Sequence, residues 1–151
     1  MPRIFQICLR PSARTPVQTV SSVRAIAGKG LEGDHAGGGS RQMTLLDREA
    51  WNAACRELGK SIDPCSRRAN IVVEGLPLAN TRGQRIQLGD CIVEIVGESR
   101  PCKLMDDVAP GLQKALSVEG RGGAYGRVIR GGLINIGDEV KLLPGNDTDA
   151  K

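Results

Sequence analysis

Two stretches of this chain, Arg85-Ile-Gln-Leu-Gly89-Asp90-Cys-Ile-Val-Glu-Ile and Leu133-Ile-Asn-Ile-Gly137-Asp138-Glu-Val-Lys-Leu-Leu, share one pattern: an alternating approach, a Gly-Asp turn and a second alternating run. Alternation at period two puts apolar side chains on one face of a strand, and Gly-Asp is turn chemistry. Further strand-like runs cover residues 3–9, ending before Pro11, then 17–26, rich in β-branched residues, 41–46, 71–73 and 128–130. Many short strands joined by tight turns argue for a closed or nearly closed sheet, because closure removes exposed edges. Helices are few. Asp47 is a good N-cap for one in which Ala50, Trp51, Ala54, Cys55 and Leu58 share a face and Gly59 marks the end. Residues 103–108 and 111–116 read as short helices. The expected fold class is therefore β-rich α+β, a barrel with a few short helices over residues 1–143 around one core, with 144–151 a disordered C-terminal tail.

Composition narrows the partners. With 151 residues, 40% apolar and 25% charged, the chain reads as one ordinary globular domain. No run approaches the roughly 18 apolar residues that span a membrane, and the first residues lack a signal peptide's long apolar segment, so neither membrane nor export is expected and the location reads as cytoplasmic. Nucleic acid is disfavoured as a partner: aromatics are only 2% of the chain, which leaves almost nothing for bases to stack on, and no basic cluster exceeds a pair. The net charge of +4, carried largely by arginine, suits a small anionic ligand better.

The five cysteines, at 8, 55, 65, 91 and 102, form no Cys-x-x-Cys pair, and His35 is the only histidine. Zinc is not expected, since a structural site needs four Cys or His ligands in close pairs. Scattered cysteines in a chain of this size make reduced thiols the default. Gly28-Lys-Gly30-Leu-Glu-Gly33 matches a dinucleotide fingerprint letter for letter, but the residues that follow, Asp34-His35-Ala36-Gly37-Gly38-Gly39-Ser40, cannot open the helix such a site requires, so NAD is set aside. What remains is a glycine-dense loop carrying one acid and one imidazole. It is open to a close-lying ligand, or it is a turn in which Asp34 caps local amides.

Two further places carry chemistry. Arg67-Arg68-Ala-Asn70 stands at the mouth of the apolar run 71–73, where paired guanidinium groups either clamp an oxyanion at two points or form a solvated basic turn. In Gly97-Glu-Ser-Arg100-Pro-Cys102-Lys-Leu-Met, Pro101 interrupts the strand just where a thiol appears between two cations. Flanking cations favour the thiolate, the form that attacks sulfur or binds a soft metal, while a small buried side chain is the plainer alternative. Cys65 is the rival for that role. Residues 120–127, Gly-Arg-Gly-Gly-Ala-Tyr-Gly-Arg, make a second glycine-rich basic segment.

Taken in order, four of these motifs resemble the MOSC domain, the family named after the C-terminal domain of molybdenum cofactor sulfurase. They are Gly30-Leu-Glu-Gly-Asp34-His35 running into Arg41-Gln-Met-Thr-Leu; Arg67-Arg68-Ala-Asn70-Ile-Val-Val-Glu-Gly-Leu; Arg100-Pro-Cys102 after a strand; and Arg127-Val-Ile-Arg-Gly-Gly followed by Ile136-Gly-Asp138-x-Val. The resemblance implies a β-barrel that binds molybdenum cofactor (molybdopterin). Cys102 matches the family's functional cysteine, as persulfide carrier or molybdenum ligand. Asp34, His35, Arg41, Arg67, Arg68, Asn70, Arg100 and Arg127 become the candidate cofactor-binding residues. Asp34 and His35 are adjacent here, whereas the family commonly separates acid and histidine by one residue. In an extended segment that shift turns the imidazole to the other face.

The expected function is thus binding of molybdenum cofactor with transfer of sulfur or metal through Cys102. A carrier needs a cysteine-desulfurase-type sulfur donor, since no pyridoxal phosphate site of its own is expected. A rival expectation is a cofactor-dependent reductase of N-hydroxylated compounds served by a separate electron donor, as no flavin or iron–sulfur motif is visible. A third is an adaptor barrel without a cofactor.

Overall fold

The computed structural model describes residues 1–12, 16–35, 39–118 and 121–144. The expected C-terminal tail therefore lies, from residue 145 on, outside the described residues, as does part of the glycine-dense loop. Eleven strands and three α-helices are described. An eight-stranded, mostly antiparallel sheet contains β1 (Arg3–Leu9), β2 (Gln18–Val20), β5 (Met43–Asp47), β6 (Ile71–Glu74), β7 (Arg85–Leu88), β8 (Cys91–Glu98), β9 (Ala124–Arg130) and β11 (Val140–Leu142), in the order β11-β7-β8-β9-β5-β6-β1-β2. A three-stranded sheet joins β3 (Ser22–Ile26), β4 (Gly30–Leu31) and β10 (Gly132–Asn135), in the order β10-β3-β4.

The sheets are open, which corrects the expectation of a closed barrel. The reason lies in β1. One edge of β1 pairs with β6 and residues 7–9 of its other edge pair with β2, so its contact with residues 137–140 is confined to the bridge between Arg3 and Glu139 and the backbone bonds of Pro2 and Ile4 beside it. No continuous ladder can form across that seam. The expected single strand over residues 17–26 is likewise two: it breaks at Ser21, whose carbonyl accepts the Ile136 amide, and its halves enter different sheets. Of the two Gly-Asp stretches, the first is a hairpin, β7 against β8. The second is not, because β10 pairs with β3 while β11 pairs with β7.

The apolar side chains form two clusters rather than one core. On one face of the large sheet Ile4, Ile7, Leu45, Ile71, Val73, Val93 and Ile95 meet Val23, Leu31 and Ile134 of the small sheet. On the other, Cys8, Leu46 and Val72 meet α1 (Arg48–Glu57), α2 (Leu104–Val108) and α3 (Leu112–Leu116) through Trp51, Met105, Leu112 and Leu116. Period-two alternation along β1 and β6 divides neighbouring residues between these clusters. Helix α1 is capped as expected, Asp47 accepting from the amides of Glu49 and Ala50, and Trp51 and Cys55 are buried. Trp51 Nε1 donates to the carbonyl of Ile62 at 2.8 Å. Among the described residues no helix is long and apolar enough to cross a membrane.

The default of reduced thiols fails at one pair: Cys8 and Cys65 form a disulfide, with Cα atoms 6.1 Å apart. Distant in sequence, they are neighbours in the helix-side cluster, because Cys8 faces that side of β1 and Cys65 lies in a 3-10 turn, Pro64–Arg67, folded against it.

Candidate functional site

Strand β1 delivers Arg10 to the end of the sheet, and Asp34 holds it there. Arg10 donates its backbone amide (2.7 Å) and Nε (3.3 Å) to Asp34 Oδ1, and Nη2 to Oδ2 (3.0 Å). The Asp34 side chain has no accessible surface and that of Arg10 has 14%. A carboxylate so enclosed orients its arginine rather than touching a ligand. The same Nη2 donates to Asn70 Oδ1 at 3.3 Å. Asn70 is wholly buried and also accepts from Thr44 N, while its Nδ2 donates to the carbonyl of Cys8. Asn70 thereby ties β1, β5 and β6 together at one point and fixes the inner end of Arg10.

Arg67 and Arg68 come from the 3-10 turn, which Asp63 caps by accepting from the Cys65 amide. Arg68 follows with a left-handed backbone at φ 66°. Arg67 donates Nε and Nη2 to the carbonyl of Gly122 (3.2 and 3.0 Å) and Nη2 to that of Ser99 (3.1 Å). It therefore pins the second glycine-rich segment to the loop that leads to Cys102. Gly122 has no alternative at this crossing, since a Cβ there would collide with the Ser99 carbonyl oxygen and crowd Pro101. Burial pushes the Arg67 guanidinium below its usual range, nearby Cys102 opposes that and Arg41 adds to it. A buried cation of this kind is stabilised by an anion brought alongside.

The result is a cleft of about 210 Å³ lined by Arg10, Arg41, Arg67, Arg68 and Arg100, with Ser99 and Cys102 among the remaining walls. No carboxylate lines it among the described residues. Ser99 Oγ is buried and has no hydrogen-bond partner among them. Cys102 is exposed just after Pro101, whereas the other two free cysteines, Cys55 and Cys91, are buried. Burial raises both of those thiols, that of Cys91 to about 12. Cys65, the sequence's rival nucleophile, is consumed by the disulfide. Native protein should therefore take up iodoacetamide at Cys102 alone, and three thiols should react after unfolding without reductant. A second label on the native protein, read by peptide mass, would contradict this arrangement.

Arg41, Arg67, Arg68, Arg100 and Cys102 thus converge, and Asp34 and Asn70 stand behind them. Two candidates lie elsewhere. Arg127 does not line the cleft; it extends from β9 toward Glu94, 3.8 Å away. His35 is exposed, with Nδ1 2.8 Å from the Arg10 carbonyl oxygen, and it too is outside the cleft, as expected once Asp34 turns inward beside it. Arg10 and Ser99 had no motif to announce them; the only signal for Arg10 is a cation directly after a strand.

Chemically, five guanidinium groups and one accessible thiol suit an anionic group with a soft centre. No cluster of three or more His, Cys, Asp or Glu residues among those described could hold a metal. The residues present would fit molybdopterin, the cofactor that the resemblance implies: the arginines could face its phosphate, Ser99 Oγ has no partner among the described residues, and Cys102 could serve as a soft ligand.

Comparison with known proteins bears on the family and the fold. The MOSC domain family model matches residues 32–141. The fold is similar to the crystal structure of the YuaD protein from Bacillus subtilis, with a TM-score of 0.74, 21% identity, and 93% of this chain and 94% of that one covered. It is also similar to YiiM from Geobacillus stearothermophilus (TM-score 0.75, 19% identity, 95% and 76% covered). YiiM from Escherichia coli gives 0.71, 18%, 94% and 70%. No curated protein matches the sequence.

Proposed function

Because this chain belongs to the MOSC domain family, which is associated with molybdenum cofactor, we propose that it binds that cofactor in the arginine cleft and carries sulfur or the metal on Cys102. The observation that carries this reading is the meeting of five arginines with the one exposed free thiol in a single cleft that no carboxylate lines among the described residues. Arg10, Arg41, Arg67, Arg68 and Arg100 would hold the phosphate, with Asp34 and Asn70 keeping Arg10 in place. When bound, the cofactor would supply a soft metal centre.

In sulfur transfer, the Cys102 thiolate would attack the outer sulfur of a persulfide on a desulfurase-type donor. The donor's sulfur–sulfur bond breaks, a new one forms at Cys102, and the donor leaves as thiolate. A position after Pro101 at the mouth of the cleft suits this step, since a donor's chain must reach the sulfur.

The test is elemental and mass analysis of protein made in cells that synthesise the cofactor. Molybdenum and pterin in near-equal amounts, or an additional sulfur on Cys102, is the expected result. Absence of molybdenum, pterin and persulfide together would overturn the proposal and leave an adaptor domain.

A further inference from the structure

The arginine cleft is small. At about 210 Å³ it falls below the roughly 300–1,000 Å³ of sites that enclose whole drug-sized ligands, so what it encloses is one oxyanion group. The carbonyls of Gly122 and Ser99 are occupied by Nε and Nη2 of Arg67, whose Nη1 makes no hydrogen bond among the described residues. Ser99 is only 7% exposed, and its hydroxyl is a buried polar group with no partner. Arg41, Arg100 and Cys102 are exposed. The cleft thus grades from buried donors inside to exposed cations and a thiol at its mouth.

Anion site and thiol are neighbours, since Arg67 lies within electrostatic reach of Cys102 and both line the cleft. A persulfide on a donor protein makes use of the thiol alone: its leaving thiolate departs with the donor's chain and calls for no anion site. A small molecule that joins a sulfane sulfur to an oxyanion uses both halves. Its oxygens accept from guanidinium groups and the Ser99 hydroxyl, and its outer sulfur meets the thiol. Thiosulfate is such a molecule. It carries no proton at neutral pH, so every oxygen is an acceptor, which suits a cleft that no carboxylate lines among the described residues.

We propose that Cys102 takes sulfur from thiosulfate bound in this cleft, which makes the chain a thiosulfate sulfurtransferase. The Cys102 thiolate attacks the outer sulfur of thiosulfate; a sulfur–sulfur bond forms at Cys102, the one within thiosulfate breaks, and its electron pair leaves on sulfite. Charge balances, and no outside oxidant or reductant takes part. Negative charge grows on the departing sulfite among the arginines, where fixed cations stabilise it. The proposal rests on the reading of Cys102 as a sulfur carrier and adds a small-molecule donor to it. It requires no bound cofactor.

In the experiment the full chain is stripped of bound sulfur with cyanide, desalted and mixed with thiosulfate. Sulfite should appear in an amount equal to the protein, and the Cys102 peptide should gain the mass of one sulfur atom. Cyanide added afterwards should remove that sulfur as thiocyanate, regenerate the thiolate and permit turnover. Cys102→Ser should release no sulfite. Arg100→Gln, at an exposed position, should slow loading by thiosulfate about tenfold more than it slows alkylation by neutral iodoacetamide, the scale of one charge-assisted hydrogen bond. Wild-type protein that releases no sulfite, release that survives Cys102→Ser, or an Arg100→Gln variant that slows both reagents alike overturns the proposal. Loading of Cys102 by sodium tetrasulfide but not by thiosulfate would leave the carrier reading standing and remove this donor. Loading by neither would remove both.

Discussion

Cys102→Ser should lower the molybdenum or persulfide content of the purified protein by at least about tenfold, because serine's hydroxyl is neither a soft ligand nor able to bond sulfane sulfur. The fold should be unaffected, as Cys102 is exposed. Cys65→Ser gives the contrasting result. It opens a bridge between residues 57 apart in sequence, and should cost about 2–4 kcal/mol of stability, seen as a lower urea midpoint. Its metal or sulfur load should stay near that of the wild type. If Cys65→Ser empties the protein while Cys102→Ser leaves it loaded, the assignment of the two thiols is reversed. The comparison is sharp because the remaining free thiols, Cys55 and Cys91, are buried.

Asp34→Asn should destabilise the protein by about 3–5 kcal/mol, the cost of leaving a partly buried charge without its partner. Asp34 has no accessible side-chain surface and receives three donors from Arg10. An amide in its place offers one acceptor oxygen and no charge, and turns N–H groups toward a guanidinium. Urea unfolding reads the loss, and a cost under about 1 kcal/mol would mean that the pair contributes little. The double change Asp34→Leu with Arg10→Met should recover most of the stability, since a buried ion pair is often replaceable by apolar residues of similar volume. Anion binding should remain weakened in the double variant, which separates the role of Arg10 in the cleft from its role in the fold.

Short-range pattern was a good guide wherever one element settles its own structure. Asp47 had to cap α1 because an aspartate before a run with helical periodicity has amides to accept from, and it accepts two. The hairpin of β7 and β8 was legible in its Gly-Asp turn, whereas the local sequence around Pro101 left Cys102 open between a presented and a buried thiol, and the fold exposes it. The same pattern misled at the second Gly-Asp turn. Alternation says which face of a strand is apolar but not which neighbour it pairs with, so β10 and β11 could part into different sheets with no change in local sequence. The expectation of a closed barrel failed for a related reason, since closure depends on which edges of β1 remain unpaired.

The site divides in the same way. By itself the sequence determined the chemistry: ordered arginine, acid and thiol motifs within a β-rich chain, matched over residues 32–141 by one family. Their roles were decided only by the tertiary structure. Asp34 passed from possible ligand contact to the support of Arg10, Asn70 became a buried tie between three strands, Arg127 left the cleft, and Cys65 was paired with Cys8. The physical reason is that residue type limits what a side chain can do, whereas burial and the partner opposite it, both set by contacts far apart in sequence, select which of those things it does.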